Sequence, residues 1–215
     1  MISDSELKRE NILFIGNSIT LHGKCSYWWG EWGMAASDRE LDYVHQVVKG
    51  LNKPVEGQKR GGTTKFKSFN FFAWEVMAHD RAEALQLIEE LLHRDLTAVV
   101  IQLGENVNNL TSLEDDYGEL IDFIAKKVPQ SKIIMLDNVW NLPFSHEMKR
   151  RVSKNKGIDF IDLSDMWDDE SLFCGLGTSV KGDDNEFHTV EHKGVAGHPG
   201  DEYMAEIARR ILNCL

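Results

Sequence analysis

Four short apolar segments are spaced along the chain and predict buried β-strands. Their sequences are ILFI, AVVIQL, KIIML and IDFIDL, at residues 12–15, 98–103, 132–136 and 158–163. Near-continuous hydrophobicity over this length is typical of strands covered on both faces, as in a parallel sheet. A weaker edge strand is predicted at 55–59, after a helix over 38–50 that starts with Asp38 and ends at Gly50.

The segments between these strands carry the periodicity of amphipathic helices. Apolar residues recur at helical spacing in two stretches, at Tyr117, Leu120, Ile121 and Ile124 and at Leu85, Ile88 and Leu92. A last helix is expected after Pro199. The alternation of strands and helices predicts an α/β fold, a three-layer α/β/α sandwich around a parallel sheet of about five strands. A chain of 215 residues is suited to one domain over 1–215.

A polar stretch from 168 to about 200 lacks this periodicity. It is long for a structureless connection in a compact domain, and loops of this length often carry function. The sequence leaves open whether the stretch is ordered.

The charge and the cysteine content narrow the classes of partner and compartment. The chain has 35 acidic and 24 basic residues, a net charge of −11, which argues against nucleic acid and anionic membranes as partners. No apolar run approaches the ~18 residues of a membrane span, and residues 1–10 are polar. Three cysteines without a CxxC pair fit a reducing compartment. We expect a cytoplasmic protein as written, or a secreted or periplasmic one if a leader was trimmed.

A serine and a histidine are the main candidates for chemistry. Ser18 follows the first predicted strand and Gly16, where open parallel sheets place their functional groups. A serine hydroxyl needs a base, and His198, ahead of the last helix, can fold back over the strand ends. The alternatives without a catalytic role are that Ser18 caps a helix and that His198 lies in a solvent-facing loop. His22, four residues after Ser18, is expected to point away along the helix that follows.

Further groups are expected to stabilise an oxyanion beside Ser18. Candidate donors are the backbone N–H of Ser18, Gly61 or Gly62 after the second predicted strand, and Asn106 after the third. In a parallel sheet these positions converge at one edge. Each has a simpler interpretation, since glycine and asparagine are also ordinary turn residues.

Four segments resemble, in order and spacing, the sequence blocks of the SGNH, or GDSL-like, hydrolase family of esterases and lipases. They are Gly16-Asn17-Ser18, the glycines at 61 and 62, Gly104-Glu105-Asn106-Val107, and His198 with the helix start that follows it. WGMAAS and DYVHQ also resemble a carbohydrate-esterase-like branch. The resemblance implies a flavodoxin-like strand order, a Ser18 nucleophile, a His198 base, an oxyanion hole from Ser18, Gly61 or Gly62 and Asn106, and no metal or organic cofactor.

The chain departs from that family's pattern where the family carries aspartates, at Asn17, Val107 and Val195. Val195 lies three residues before His198, where the third member of a triad is usual. The group that orients His198 therefore stays open among Glu191, an acid at 183 or 184, and a backbone carbonyl. A Ser-His dyad with an oxyanion hole would still accelerate hydrolysis.

Aromatic and histidine-rich segments give secondary candidates. Trp29 and Trp140 are predicted either to wall a sugar or acyl pocket or to be ordinary core and loop residues. The tract from His188 to His192 matches the H-x-x-E-H spelling of inverted zinc peptidases. No amphipathic helix surrounds this tract, so we expect no metal.

These observations favour a serine esterase that hydrolyses a carboxylic ester, with a short acyl group on a carbohydrate as the first substrate expected. A lysophospholipase or thioesterase would use the same groups on longer acyl chains. A carbohydrate-binding protein that has lost catalysis and a zinc peptidase are the alternatives from other classes.

Overall fold

The computed structural model describes residues 10–53, 63–77 and 80–215. The strands in these ranges are β1 (Asn11–Gly16), β2 (Lys65–Asn70), β3 (Ala98–Gln102), β4 (Lys132–Leu136), β5 (Asp159–Ile161), β6 (Ser179–Lys181) and β7 (Phe187–Thr189). The helices are α1 (Tyr43–Asn52), α2 (Phe72–Val76), α3 (Arg81–Ala84), α4 (Gln86–Glu89), α5 (Leu113–Lys127), α6 (Pro143–Lys156), α7 (Lys193–Ala196) and α8 (Asp201–Cys214). Among the described residues, none of the helices has the length and apolar character needed to cross a bilayer.

Strands β1 to β5 form one parallel sheet in the order β2-β1-β3-β4-β5. This is the flavodoxin-like order, so the predicted α/β fold, sheet and strand order are confirmed. All four apolar segments contain a strand of this sheet. Because the strands are parallel, the segments that leave their carboxyl ends meet at one edge.

Helices cover the sheet on both faces. Along β1, Ile12 and Phe14 pack into the core shared with α1 and α8, whereas Leu13 and Ile15 pack into the core shared with α5. This alternation follows from the two-residue period of a strand, and both faces are apolar because both are covered. The result is the predicted three-layer sandwich.

The helix predicted at 38–50 is divided and ends later than expected. Residues 39–41 form a 3₁₀ turn, and α1 starts at Tyr43 after Asp42, whose side chain accepts a hydrogen bond from His45 N. Gly50 lies inside α1. A Cβ at this position would come within 2.5 Å of Leu212 Cδ1, so the glycine allows close packing against α8.

The second strand of the sheet lies further along the chain than the edge strand predicted at 55–59, which is outside the described residues. β2 begins at Lys65 and alternates basic and aromatic residues, KFKSFN, with its first three side chains exposed. Exposed lysines are typical of an edge strand, where they discourage pairing with other chains. The run is not continuously apolar, and within the described residues β2 pairs only with β1.

The polar stretch 168–200 is ordered by backbone hydrogen bonds and by Val180, Val190 and Val195, which pack into the core shared with α1 and α8. It contains the antiparallel pair β6 and β7, followed by the one-turn helix α7. Cys174 N donates to His198 O and Gly177 N donates to Val190 O, each at a distance of 2.9 Å. These bonds fix the segment that carries His198 above the sheet edge.

Candidate active site

Ser18 lies in a tight turn directly after β1. The turn needs a glycine at position 16, since a Cβ there would lie 2.7 Å from Gln102 O and closer still to the Thr20 side chain. Ser18 is half-buried at the carboxyl edge of the sheet. Its Oγ lies 2.8 Å from His198 Nε2, which is hydrogen-bond distance across 180 residues of sequence. The structure therefore brings the two predicted catalytic residues together.

The second nitrogen of His198 fixes the tautomer of the ring. Nδ1 lies 2.6 Å from Gly194 O. A carbonyl oxygen only accepts, so Nδ1 carries the proton and Nε2 presents its lone pair to the Ser18 hydroxyl. This is the form that a general base requires.

The orienting group is thus a backbone carbonyl, one of the alternatives the sequence left open. Glu191, the first of the acids left open, is exposed and forms no hydrogen bond with His198 within the described residues. Asp183 instead pairs with Lys24 at 3.0 Å, and Asp184 pairs with His188 at 2.9 Å. The acids are occupied elsewhere because the loop that carries them folds into the β6–β7 turn.

The surroundings of His198 keep its ring neutral. Desolvation lowers the pKa of His198 to about 4, and the cationic forms of His22 and His192 would lower it further, while the bond to Gly194 opposes the shift. Trp140 contributes an edge-to-face contact with a ring-centroid distance of 5.5 Å and donates from Nε1 to Gly197 O at 2.8 Å. At pH 7 the imidazole is therefore neutral, with its proton on Nδ1 and Nε2 as the acceptor.

The donors predicted for an oxyanion are partly in place. Asn106 lines the same cleft as Ser18, and within the described residues the Ser18 N–H has no hydrogen-bond partner. Gly61 and Gly62 lie outside the described residues. Both precede Lys65, the first residue of β2, so the premise that they follow the second strand does not hold for the described sheet.

Two glutamates lie beside Asn17 and Asn106. Glu75, on α2, is fully buried, and Glu105 follows β3. The Asn17 amide Nδ2 donates to both, at 3.2 Å to Glu75 Oε1 and 2.8 Å to Glu105 Oε2. Desolvation raises the pKa of Glu105, opposed by nearby Lys149, and Glu75 raises it further. An aspartate at position 17 would add a third carboxylate here, which explains the asparagine.

The role of Glu75 had no counterpart in the sequence blocks. The available signal was its position, a single acid inside the apolar segment FFAWEVM. An acid in such a segment is either exposed or held by donors. Glu105, by contrast, lies inside the third block, where the family resemblance implies a role for Asn106 but none for Glu105.

A cleft of about 360 Å³ opens beside Ser18 and His198. It is lined mainly by aromatic, histidine and asparagine side chains, including His22, Tyr27, Asn70, Phe72, Asn106 and His192. Tyr27 stacks on His192 with ring centroids 4.2 Å apart and an interplanar angle of 12°. His22 faces this cleft, contrary to expectation, because its backbone pairs with Trp32 and the described residues 19–38 after Ser18 form no helix.

The predicted pocket tryptophans lie at different places. Trp29 is not among the residues that line the described cleft, and it stacks on His188 with centroids 4.6 Å apart. Trp140 contacts His198 from outside the cleft. His188 belongs to β7, and His192 lies beyond that strand, so the H-x-x-E-H tract does not form the helix that its zinc-binding geometry requires.

One other group of potential metal ligands occurs among the described residues. Ligand atoms of Asp137, His146 and Asp162 lie within 4.8 Å of one another. Asp137 Oδ2 is already bonded to His146 Nδ1 at 2.7 Å and to Leu163 N, and Asp162 accepts from Ser164. These hydrogen bonds account for the cluster without a metal.

No protein-family model matches the chain, and no curated protein matches it. Solved structures do. A protein described as a GDSL-like lipase from Bacteroides uniformis superposes with a TM-score of 0.59 at 11% identity, over 96% of this chain and 95% of the other. A two-domain esterase active on acetylated mannans gives 0.56 at 18% identity and 95% coverage of this chain. A family two carbohydrate esterase from Clostridium thermocellum gives 0.55 at 15% identity and the same coverage.

These similarities establish the fold. The chain has the SGNH-like hydrolase fold that its sequence blocks resemble. It spans 48% of the two-domain esterase and 62% of the carbohydrate esterase, so it corresponds to about half to two thirds of those chains. At these identities the activity has to be argued from the site itself.

Proposed function

We propose that this protein is a serine esterase that removes a short acyl group from a carbohydrate ester. The observation that carries the proposal is the relay from Gly194 O through the His198 ring to Ser18 Oγ, with distances of 2.6 and 2.8 Å. An imidazole held between a carbonyl acceptor and a serine hydroxyl is arranged to remove the hydroxyl proton.

In the acylation step, Ser18 Oγ attacks the acyl carbonyl while His198 Nε2 takes the hydroxyl proton. The tetrahedral oxyanion is stabilised by the Ser18 N–H and the Asn106 side-chain amide. As the ester C–O bond breaks, the imidazolium returns the proton to the departing alcohol. The acyl group is then bound to Ser18 Oγ.

In the deacylation step, water takes the place of the alcohol. His198 Nε2 accepts a proton from the water as it attacks the acyl carbon, and the same donors hold the second oxyanion. Collapse of this intermediate breaks the bond to Ser18, whose Oγ regains the proton. The carboxylic acid leaves and the resting site is restored.

The shape of the cleft supports a small acyl group. Its volume of about 360 Å³ is at the lower end for ligand sites and must hold both the acyl group and part of the alcohol. The exposed face of the Tyr27–His192 stack offers a flat surface of the kind that packs against sugar rings. Two of the similar folds belong to carbohydrate esterases, one of them active on acetylated mannans.

The proposal is tested by p-nitrophenyl acetate hydrolysis with the wild type and Ser18→Ala, and by intact mass after fluorophosphonate treatment. We expect turnover and a single covalent adduct in the wild type, with both lost in Ser18→Ala. Absence of turnover and adduct in a folded wild type would contradict the esterase and favour a carbohydrate-binding role.

The substrate class is tested with two further panels. Rates on p-nitrophenyl esters of increasing chain length are expected to fall beyond short acyl groups, and acetylated oligosaccharides are expected to release acetate. Rates that instead rise with chain length would identify a lysophospholipase or thioesterase.

A further inference from the structure

Within the described residues, the Glu75 carboxylate is hydrogen-bonded by N–H donors only, and they come from two loops of the site. Its Oε1 accepts from Gly104 N at 2.5 Å, Asn106 N at 3.3 Å and Asn17 Nδ2 at 3.2 Å. Its Oε2 accepts from Asn106 Nδ2 at 2.8 Å. Four donors on one fully buried side chain match an ionised carboxylate, which accepts and does not donate.

The contact with the Asn106 side chain fixes which end of the amide is which. A carboxylate cannot donate, so the group that faces Glu75 Oε2 must be the NH₂ rather than the carbonyl. One hydrogen of this NH₂ is bonded to Glu75. The second belongs to the same nitrogen and is left for a partner in the cleft, which Asn106 lines.

We propose that Glu75 is a positioning residue for the oxyanion hole, which holds the Asn106 amide with its nitrogen toward the developing negative charge. The proposal rests on the esterase function proposed above. Glu75 acts through Asn106 and does not touch the reacting atoms. It also ties the turn after β1 to the loop after β3, since Asn17 and Gly104 share its Oε1.

The substitution Glu75→Gln isolates this role, because it keeps the size of the side chain and changes one acceptor to a donor. Three donors converge on Oε1, so the glutamine oxygen is expected to stay there and its NH₂ to face the Asn106 NH₂. Rotation of the Asn106 amide by 180° relieves this clash of donors. That rotation puts a carbonyl oxygen where the oxyanion forms.

The experiment is a double-mutant cycle with p-nitrophenyl acetate, using the wild type, Glu75→Gln, Asn106→Ala and the combined variant. One oxyanion donor is worth on the order of 10²–10³ in kcat, so Glu75→Gln is expected to lower kcat by roughly 10²-fold. KM should stay within about threefold, because the donor acts in the transition state. In the Asn106→Ala background the same change should add less than about threefold.

Glu105→Gln is the matched control. It alters the other glutamate bonded to Asn17, but no hydrogen bond joins Glu105 to Asn106 within the described residues. We expect its kcat to fall less than that of Glu75→Gln. Thermal melts of each variant separate loss of folding from loss of rate. If Glu75→Gln does not fold, the cycle is repeated with Glu75→Asp, which keeps the charge but withdraws it by one methylene.

The outcomes are distinguishable. An active wild type, an inactive Ser18→Ala and a non-additive cycle support the positioning role. An active wild type with independent, multiplicative effects of the two substitutions, or with unchanged kcat in Glu75→Gln, overturns it while the esterase stands. A folded wild type without turnover overturns the esterase and the positioning role together.

Discussion

The two sides of the cleft to which the proposed function assigns the base and the oxyanion are built in different ways. On the base side, His198 is held by a single backbone carbonyl, and no carboxylate touches it within the described residues. On the oxyanion side, Glu75 and Glu105 hold Asn17 and Asn106 through several short hydrogen bonds. The carboxyl groups thus lie beside the two asparagines and not beside the imidazole, whose ring stays neutral. Under the proposed function, electrostatic preorganisation lies mainly in the orientation of the amides.

The largest expected effect comes from removing the His198 imidazole, which the proposed function makes the base. His198→Ala should lower kcat/KM for p-nitrophenyl acetate by on the order of 10⁴-fold or more, since within the described residues His198 is the one side chain hydrogen-bonded to Ser18 Oγ. Thermal stability should change less than activity, because the backbone hydrogen bonds that fix this segment, such as Cys174 N to His198 O, do not depend on the side chain. A rate within tenfold of the wild type would show that another base serves Ser18.

The next effect tests the charge on the oxyanion side. Asn17→Asp places a carboxylate beside Glu75 and Glu105 with no loss of size, and should lower the free energy of unfolding by roughly 3 kcal/mol at pH 8. The repulsion raises the pKa of the new aspartate, so the loss should shrink as the pH falls and it becomes protonated. Equilibrium denaturation at pH 8 and pH 5 measures both values. Equal loss at the two pH values would show that charge is not the cause.

The pH dependence of activity tests the uncharged surroundings of His198. Its pKa of about 4 predicts that kcat/KM is flat from neutral pH down to about 5 and falls tenfold per unit below 4. The same shift makes the free energy of unfolding decrease as the pH falls from 6.5 to 4, because only the unfolded chain takes up the proton. An activity midpoint near 6.5 would contradict the desolvated ring.

Val195→Asp sharpens this experiment by placing an acid where the family carries one. A carboxylate near the ring favours the imidazolium, so the acid limb should move up by about one unit or more. Val195 is fully buried, so the variant should also be less stable than the wild type. Val195→Asn is the uncharged control, and an equal shift in both variants would argue against a charge effect.

The smallest effects concern the cleft wall. Tyr27→Ala should raise KM for an acetylated sugar by about 2- to 10-fold and leave KM for p-nitrophenyl acetate less affected, because an aromatic contact contributes about 0.5–1.5 kcal/mol. Trp29→Ala, which loses a stack on His188 outside the cleft, should lower the melting temperature without changing either KM. If Trp29→Ala changed the KM for the acetylated sugar, the result would indicate that Trp29 contributes to substrate binding.

The sheet was predictable because its information is local. Runs such as AVVIQL identify strands buried on both faces, and the position of Ser18 follows from the end of β1. The edge strand β2 was less predictable, because its exposed first half carries two lysines and is not a continuous apolar run. The hairpin of β6 and β7 escaped because three-residue strands carry too few apolar positions to show a period.

The site was predictable only where a side chain itself carries the role. Ser18 and His198 come together as expected, but the identity of the orienting group depends on backbone geometry that no residue type encodes. Glu191 was a reasonable acid to consider and lies elsewhere. Glu75 reaches the site because α2 packs directly beneath the loop after β3, which is a tertiary contact and leaves no local pattern.

The one-turn length of α7 has a consequence for the chemistry. In a longer helix the Gly194 carbonyl would accept from the backbone N–H of His198, four residues on. Here that N–H bonds Val195 O instead, at 3.0 Å, and Gly194 O is left to the imidazole. The residue at which α7 ends therefore determines that the proton of the His198 ring lies on Nδ1. A change that extended α7 by one residue would engage Gly194 O in a backbone hydrogen bond. The Nδ1 proton of His198 would then lose its acceptor, although no side chain of the site had changed.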